Sequence, residues 1–224
     1  MKLEYAYQGP KRGVARIGDR AVLLAHGAGA DMHAVTLTTV TDGLSAAGIA
    51  SLRFQYPYRA AGKKAPDRPA VLFEATRVAA AELARRTRLS PDRLVLGGRS
   101  MGGRYCSMVA AGGMPKDVGD LVPCLGLLLL GYPLHAAGKP ERERSDHFPR
   151  LKMPVLFVSG TKDSLASKPA LTKAARKLDG THTFHWIESG DHGFKPLKSS
   201  GLTVDGVLAD VATAAVQWVC ALPA

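Results

Sequence analysis

Cysteine is scarce. The 224 residues hold three, Cys106, Cys124 and Cys220, odd in number and far apart. That excludes a disulfide framework and predicts free thiols in a reducing cytoplasm. No run of eighteen apolar residues occurs, so no membrane-spanning helix and no membrane partner are expected. The first residues, Met1 to Tyr7, include Glu4 and no long apolar stretch, which is unlike a secretory signal. Internal repeats and low-complexity tracts are lacking, and nothing marks a second domain. A single domain over 1–224 is predicted, long enough to bury a full core. No His, Cys or carboxylate spacing suits a metal, and no cofactor is expected.

Acidic residues are in short supply, 19 against 30 Lys and Arg, leaving a net charge of +11. The basic residues are dispersed, with Lys63-Lys64 and Arg85-Arg86 the densest spots. Aromatics make up only 6% and do not interleave with the basic residues, and no recognition-helix signature is present. The charge therefore predicts an arginine-rich surface rather than a nucleic-acid site.

What is there is an alternation of strand and helix signals. It predicts an α/β fold, a mostly parallel sheet with helices on both faces. Residues 3–7 and 14–17 suggest an N-terminal hairpin around Gly9-Pro10. Residues 21–25, 49–54, 94–96, 125–130, 154–158 and 183–187 read as strands. Helices are expected over 33–47, closed by Gly48, and over 69–88, 101–111 and 204–220. Residues 56–69 read as loop. Residues 132–153 are the only place for an insertion, and are too few for a folded cap.

The densest chemistry lies at Gly97-Gly98-Arg99-Ser100-Met101-Gly102-Gly103, after an apolar strand and before a helix. Gly-x-Ser-x-Gly in that setting reads as a nucleophile elbow. The serine is held in a strained turn, and Gly98 and Gly102 leave room for neighbouring backbone. Ligands of such sheets sit at the carboxyl ends of strands. Asp163 follows the 154–158 strand and His192 the 183–187 strand, in the order Ser, Asp, His of α/β-hydrolases. A serine hydroxyl needs a base, an imidazole can take and return the proton, and a buried carboxylate orients the ring. Asp191, adjacent to His192, is a rival acid, ranked second because neighbours on a loop point apart. The oxyanion donors are expected to be the N–H groups of Met101 and Ala28, with Gly29 as fallback. Gly29, Arg99, Tyr132 and Phe194 are expected to touch substrate. Arg99 and Arg104 flank the elbow and either bind a substrate carboxylate or pair with acids such as Glu74. His26 is expected to brace the oxyanion loop, and Cys106 to be core.

Together, His26 to Met32, Leu52-Arg53-Phe54, Gly97 to Gly102, Gly131 to His135, Val155 to Gly160 and His185 to Glu188 carry a resemblance. From about residue 20 onward the chain resembles the α/β-hydrolase group of testis-expressed protein 30 and NSL-complex subunit 3. Bacterial members of that group are dienelactone-hydrolase-like. The resemblance implies the α/β-hydrolase fold and a site at Ser100, Asp163 and His192, but no substrate. Dienelactone hydrolases use a cysteine nucleophile, so their reaction is not implied for a chain with Ser100. The expected function is a cap-less serine hydrolase of small esters or thioesters, monomeric or homodimeric. Since some members of the group are interaction modules, a catalytically silent protein-binding domain is the alternative.

Overall fold

The computed structural model describes residues 1–113 and 118–223. Seven strands form one sheet: β1 (Tyr5–Gln8), β2 (Ala21–Ala25), β3 (Ala50–Phe54), β4 (Leu94–Arg99), β5 (Gly126–Leu130), β6 (Val155–Gly160) and β7 (His182–Ile187). Their order is β1-β3-β2-β4-β5-β6-β7. All neighbours run parallel except β1, which pairs antiparallel with β3. The α/β-hydrolase fold expected from the sequence is the one observed.

Strands β2, β3 and β5 are buried at every position, which suits a parallel sheet covered on both faces. Helices α1 (Val35–Ala46) and α6 (Val204–Ala221) cover one face. Helices α3 (Pro69–Thr87), α4 (Met101–Ala111) and α5 (Lys168–Ala175) cover the other, and α2 (Pro57–Ala60) is a single turn. The period of each long helix decides its buried face. On α1 the inward residues are Leu37, Val40, Thr41 and Leu44, and on α6 they are Val207, Val211, Ala215 and Val219. Arg20 secures the end of α6, donating to the carbonyls of Val219 at 2.9 Å and Leu222 at 2.7 Å.

Three details depart from the sequence reading. The hairpin does not form: β1 crosses to β3, in register Tyr5↔Phe54 and Tyr7↔Leu52. Residues 10–17 instead run along the α1–β3 turn, through Lys11 N–H to Ser45 O and Ile17 N–H to Gly48 O. Tyr5 and Tyr7 explain the choice, because Arg86 of α3 lies over both rings at 5.7 and 5.6 Å. Residues 14–17 offer no buried side chain to compete. Second, α2 interrupts the 56–69 loop. Third, α5 lies where only a connection was read. The β5–β6 link, 131–154, carries one 3₁₀ turn (Phe148–Arg150) and a bridge between Ala136 and Lys139, and no folded cap.

Candidate active site

Strand β4 ends at Arg99, and α4 begins at Met101. Ser100 joins them with φ 51° and ψ −115°. Such a backbone costs about 1–3 kcal/mol in a residue with a Cβ and persists only when its surroundings enforce it. Here β2 enforces it. A Cβ at Gly98 would sit 2.2 Å from the Ala25 carbonyl oxygen, and one at Gly102 would sit 2.3 Å from the same atom. The two glycines let the elbow pack directly on the end of β2.

Ser100 Oγ lies 2.8 Å from His192 Nε2. His192 Nδ1 lies 2.9 Å from Asp163 Oδ2. Asp163 is buried, and its other oxygen accepts the Leu165 N–H at 2.7 Å. The structure thus joins the three residues that the sequence set at three strand ends. Asp191 is used otherwise. Its Oδ1 accepts the N–H groups of Gly193 at 2.7 Å and Lys195 at 2.9 Å, closing the turn that presents His192. That turn is tied to the segment just after β6 by Lys162 N–H on the Gly190 carbonyl at 2.9 Å.

Beside Ser100 runs the loop after β2. The Tyr58 hydroxyl donates to the Ala28 carbonyl at 2.7 Å. His26 accepts the Tyr56 N–H on Nε2 at 3.1 Å, and its Nδ1 meets the Gly27 carbonyl at 2.8 Å. The pair of contacts fits a neutral ring with the proton on Nδ1. Burial keeps that ring below its ordinary pKa. His26 therefore braces the loop. Met101 N–H is the first of α4, among the amides that a helix leaves unpaired at its start.

Three of the four residues expected at the substrate need correction. Arg99 is turned inward: its guanidinium lies 4.9 Å from the Phe194 ring centre and donates to the His192 carbonyl. The carbonyls of Leu130 and Gly131 lie 3.4 Å away, and His192 Nε2 3.5 Å away. Burial pushes Arg99 down to about 10, against the pull of Asp163 and Asp191. Phe194 is buried under Arg99 in the α1–α6 core. Tyr132 is buried beside Phe148 and Phe157, with its hydroxyl on the Arg144 carbonyl at 2.5 Å. Gly29 is exposed beside Ala28 of the cleft wall, in the turn closed by Ala30 N–H on Gly27 O. Neither Arg99 nor Arg104 pairs with Glu74.

The cleft over Ser100 measures about 420 Å³. Ala28, Met101, Leu72, Tyr105, Arg144 and Leu165 are among its lining residues. Of the lining residues, Pro66, Asp67, Pro69 and Arg144 were missed by sequence reasoning. They come from loops without motif or, for Pro69, from the start of α3, and the charged run Glu141-Arg142-Glu143-Arg144 was the sole local signal.

Solved structures share this architecture. An alpha-beta serine hydrolase homologue from Coxiella burnetii superposes with a TM-score of 0.71 at 16% identity, covering 96% of this chain and 90% of that one. Est1E from Butyrivibrio proteoclasticus, with ferulic acid bound, gives 0.71 at 17% identity over 99% and 95%. Dienelactone hydrolase from Anabaena variabilis gives 0.70 at 20% identity over 100% and 94%. At these identities the likeness is one of fold. The sequence profile described as alpha/beta hydrolase domain matches residues 18–220. The chain belongs to the alpha/beta hydrolase domain family.

Proposed function

We propose that this chain is a single-domain serine hydrolase of small carboxylic esters or thioesters, working through an acyl-enzyme. The observation that carries the reading is the contact series Ser100 Oγ–His192 Nε2–Asp163 Oδ2, at 2.8 and 2.9 Å, on a strained elbow. Ser100 Oγ attacks the carbonyl carbon as His192 Nε2 takes its proton. Asp163 holds the ring in the required tautomer and stabilises the imidazolium. The N–H groups of Met101 and Ala28 receive the oxyanion. His192 then protonates the leaving group, and a water repeats the sequence to release the acid. Esterase neighbours of the same fold support the chemistry at this coarse level. Within the family, the motifs from His26 to Glu188 favour the testis-expressed protein 30 and NSL-complex subunit 3-like group. The free thiols favour a cytoplasmic location.

The test is hydrolysis of p-nitrophenyl acetate and butyrate by wild type and Ser100→Ala. The expected result is turnover by wild type, lost by about a million-fold in the variant. Equal rates in both would overturn the reading and favour the silent interaction module.

A further inference from the structure

The cleft over Ser100 carries two cations that hydrolysis of a neutral ester does not require. Arg104 stands one turn beyond Ser100 on α4, and Arg144 comes from the β5–β6 link. The same two residues also line an adjoining hollow of about 440 Å³, together with His147, Arg150 and the carboxylates of Glu143 and Asp146. Arg104 and Arg144 thus form the wall between the two spaces.

Neither guanidinium has a carboxylate within ion-pair distance among the described residues. Glu143 is engaged instead by Lys177 at 2.6 Å. Arg104 Nε is buried and meets no acceptor among the described residues. The guanidinium of Arg104 is restrained 5.7 Å from the Tyr105 ring centre. Burial and the charge of Arg104 together hold Arg144 below its ordinary pKa. Asp67 is the one acidic residue of the cleft wall. It forms no ion pair with Arg104 or Arg144. Two half-buried like charges without a counter-ion are costly, and a bound anion removes the cost. Guanidinium groups suit carboxylate and phosphate oxygens, which they grip by charge-assisted hydrogen bonds.

We infer that Arg104 and Arg144 form an anion subsite, so that the substrate is an ester or thioester bearing a carboxylate or phosphate beyond the reacting carbonyl. The inference rests on the Ser100 hydrolase reading and narrows its substrate class. Two matched pairs locate the anion. p-Nitrophenyl hemiadipate against p-nitrophenyl hexanoate places a carboxylate on the acyl chain. Butyryl-coenzyme A against S-butyryl-pantetheine places phosphates on the leaving group. In one pair, wild type is expected to show a charged-to-neutral kcat/KM ratio of about ten or more, falling about tenfold in Arg104→Gln and in Arg144→Gln. A ratio near one in both pairs, or a ratio unmoved by both substitutions, overturns the subsite. If Ser100→Ala still abolishes that turnover, the hydrolase reading stands without it. Binding is read apart from turnover in the Ser100→Ala protein. Adipate or inorganic phosphate is expected to protect Arg104 and Arg144 from phenylglyoxal. No protection by either anion also overturns the subsite, whatever the enzyme hydrolyses.

Discussion

Ser100 sits in a conformation that its own side chain disfavours, and the carbonyl of Ala25 leaves the elbow nowhere to relax. Gly98→Ala is therefore expected to cost about 3 kcal/mol or more in urea unfolding, since backbone rather than a flexible side chain blocks the new methyl. A cost under about 1 kcal/mol would contradict the packing described. The two aspartates near His192 also separate by experiment. Asp163→Asn should lower kcat on the order of 10⁴-fold, as loss of a triad acid does. Asp191→Ala, which removes only turn contacts, should cost far less. Steady-state kinetics on p-nitrophenyl butyrate would show the reverse order if Asp191 were the acid. Ser100, Asp163 and His192 were legible because a motif or a strand end marks each one. Arg99, Tyr132 and Phe194 were not placed correctly. Residue type says that a side chain at a strand end is large or charged, but not whether it turns toward cleft or core. Direction came from partners distant in sequence, such as the Phe194 ring for Arg99 and the Phe148 and Phe157 rings for Tyr132.

At the scale of elements, the loop from 188 to 197 holds His192 over β4, closed on itself by Asp191 and tied to the turn after β6 by Lys162 N–H on Gly190 O and Ser189 N–H on Thr161 Oγ1. Ser189 and Phe194 both have positive φ, 58° and 66°. Leu197 N–H bonds Ser189 O at 3.2 Å to close the base of the loop. Arg99 is a strut between this loop and the end of β4, through the His192 carbonyl and the Phe194 ring. Arg99→Ala is expected to lower kcat about a hundredfold with a smaller change in KM, because a shift of about 1 Å in His192 is enough for that loss. Hydrogen exchange at 189–196 should quicken in the same variant. A fall in kcat with exchange unchanged would mean that Arg99 acts on the chemistry rather than on the loop. The long periodic helices α1, α3, α4 and α6 were legible within two residues at each end. The short buried strands β2, β3 and β5 were legible too, from their apolar runs, but α5 and the pairing of β1 were not. Helix α5 spans eight residues and begins Lys168-Pro169, too little for a periodic signal. Strand β1 pairs with a strand more than forty residues away, and a local hairpin was the nearer guess.

The whole molecule carries buried neutral imidazoles, which makes its stability depend on pH. Burial, then the charges of Arg104 and Arg150, holds His147 down to about 3. In the unfolded chain it titrates near 6.5. Between about 3 and 6.5 the unfolded state binds the proton and the native state does not. Stability therefore rises with pH across that window and is lost on acidification, by up to about 1.4 kcal/mol per pH unit. His26 contributes with the same sign. His147→Gln, which can keep a bond to the Ser107 hydroxyl, should flatten the dependence in urea unfolding from pH 4 to 7. An unchanged slope would show that His147 is charged in the native protein. An open cleft of about 420 Å³ without a folded cap also favours short acyl chains. Activity should fall once the chain exceeds about ten carbons.

The hydrolase reading depends on Ser100 being an activated nucleophile. Mass spectrometry after fluorophosphonate treatment reads that directly. One adduct is predicted, on the peptide bearing Ser100, absent in Ser100→Ala and formed far more slowly in His192→Ala. No adduct on folded wild-type protein, or an adduct that survives Ser100→Ala, would contradict it.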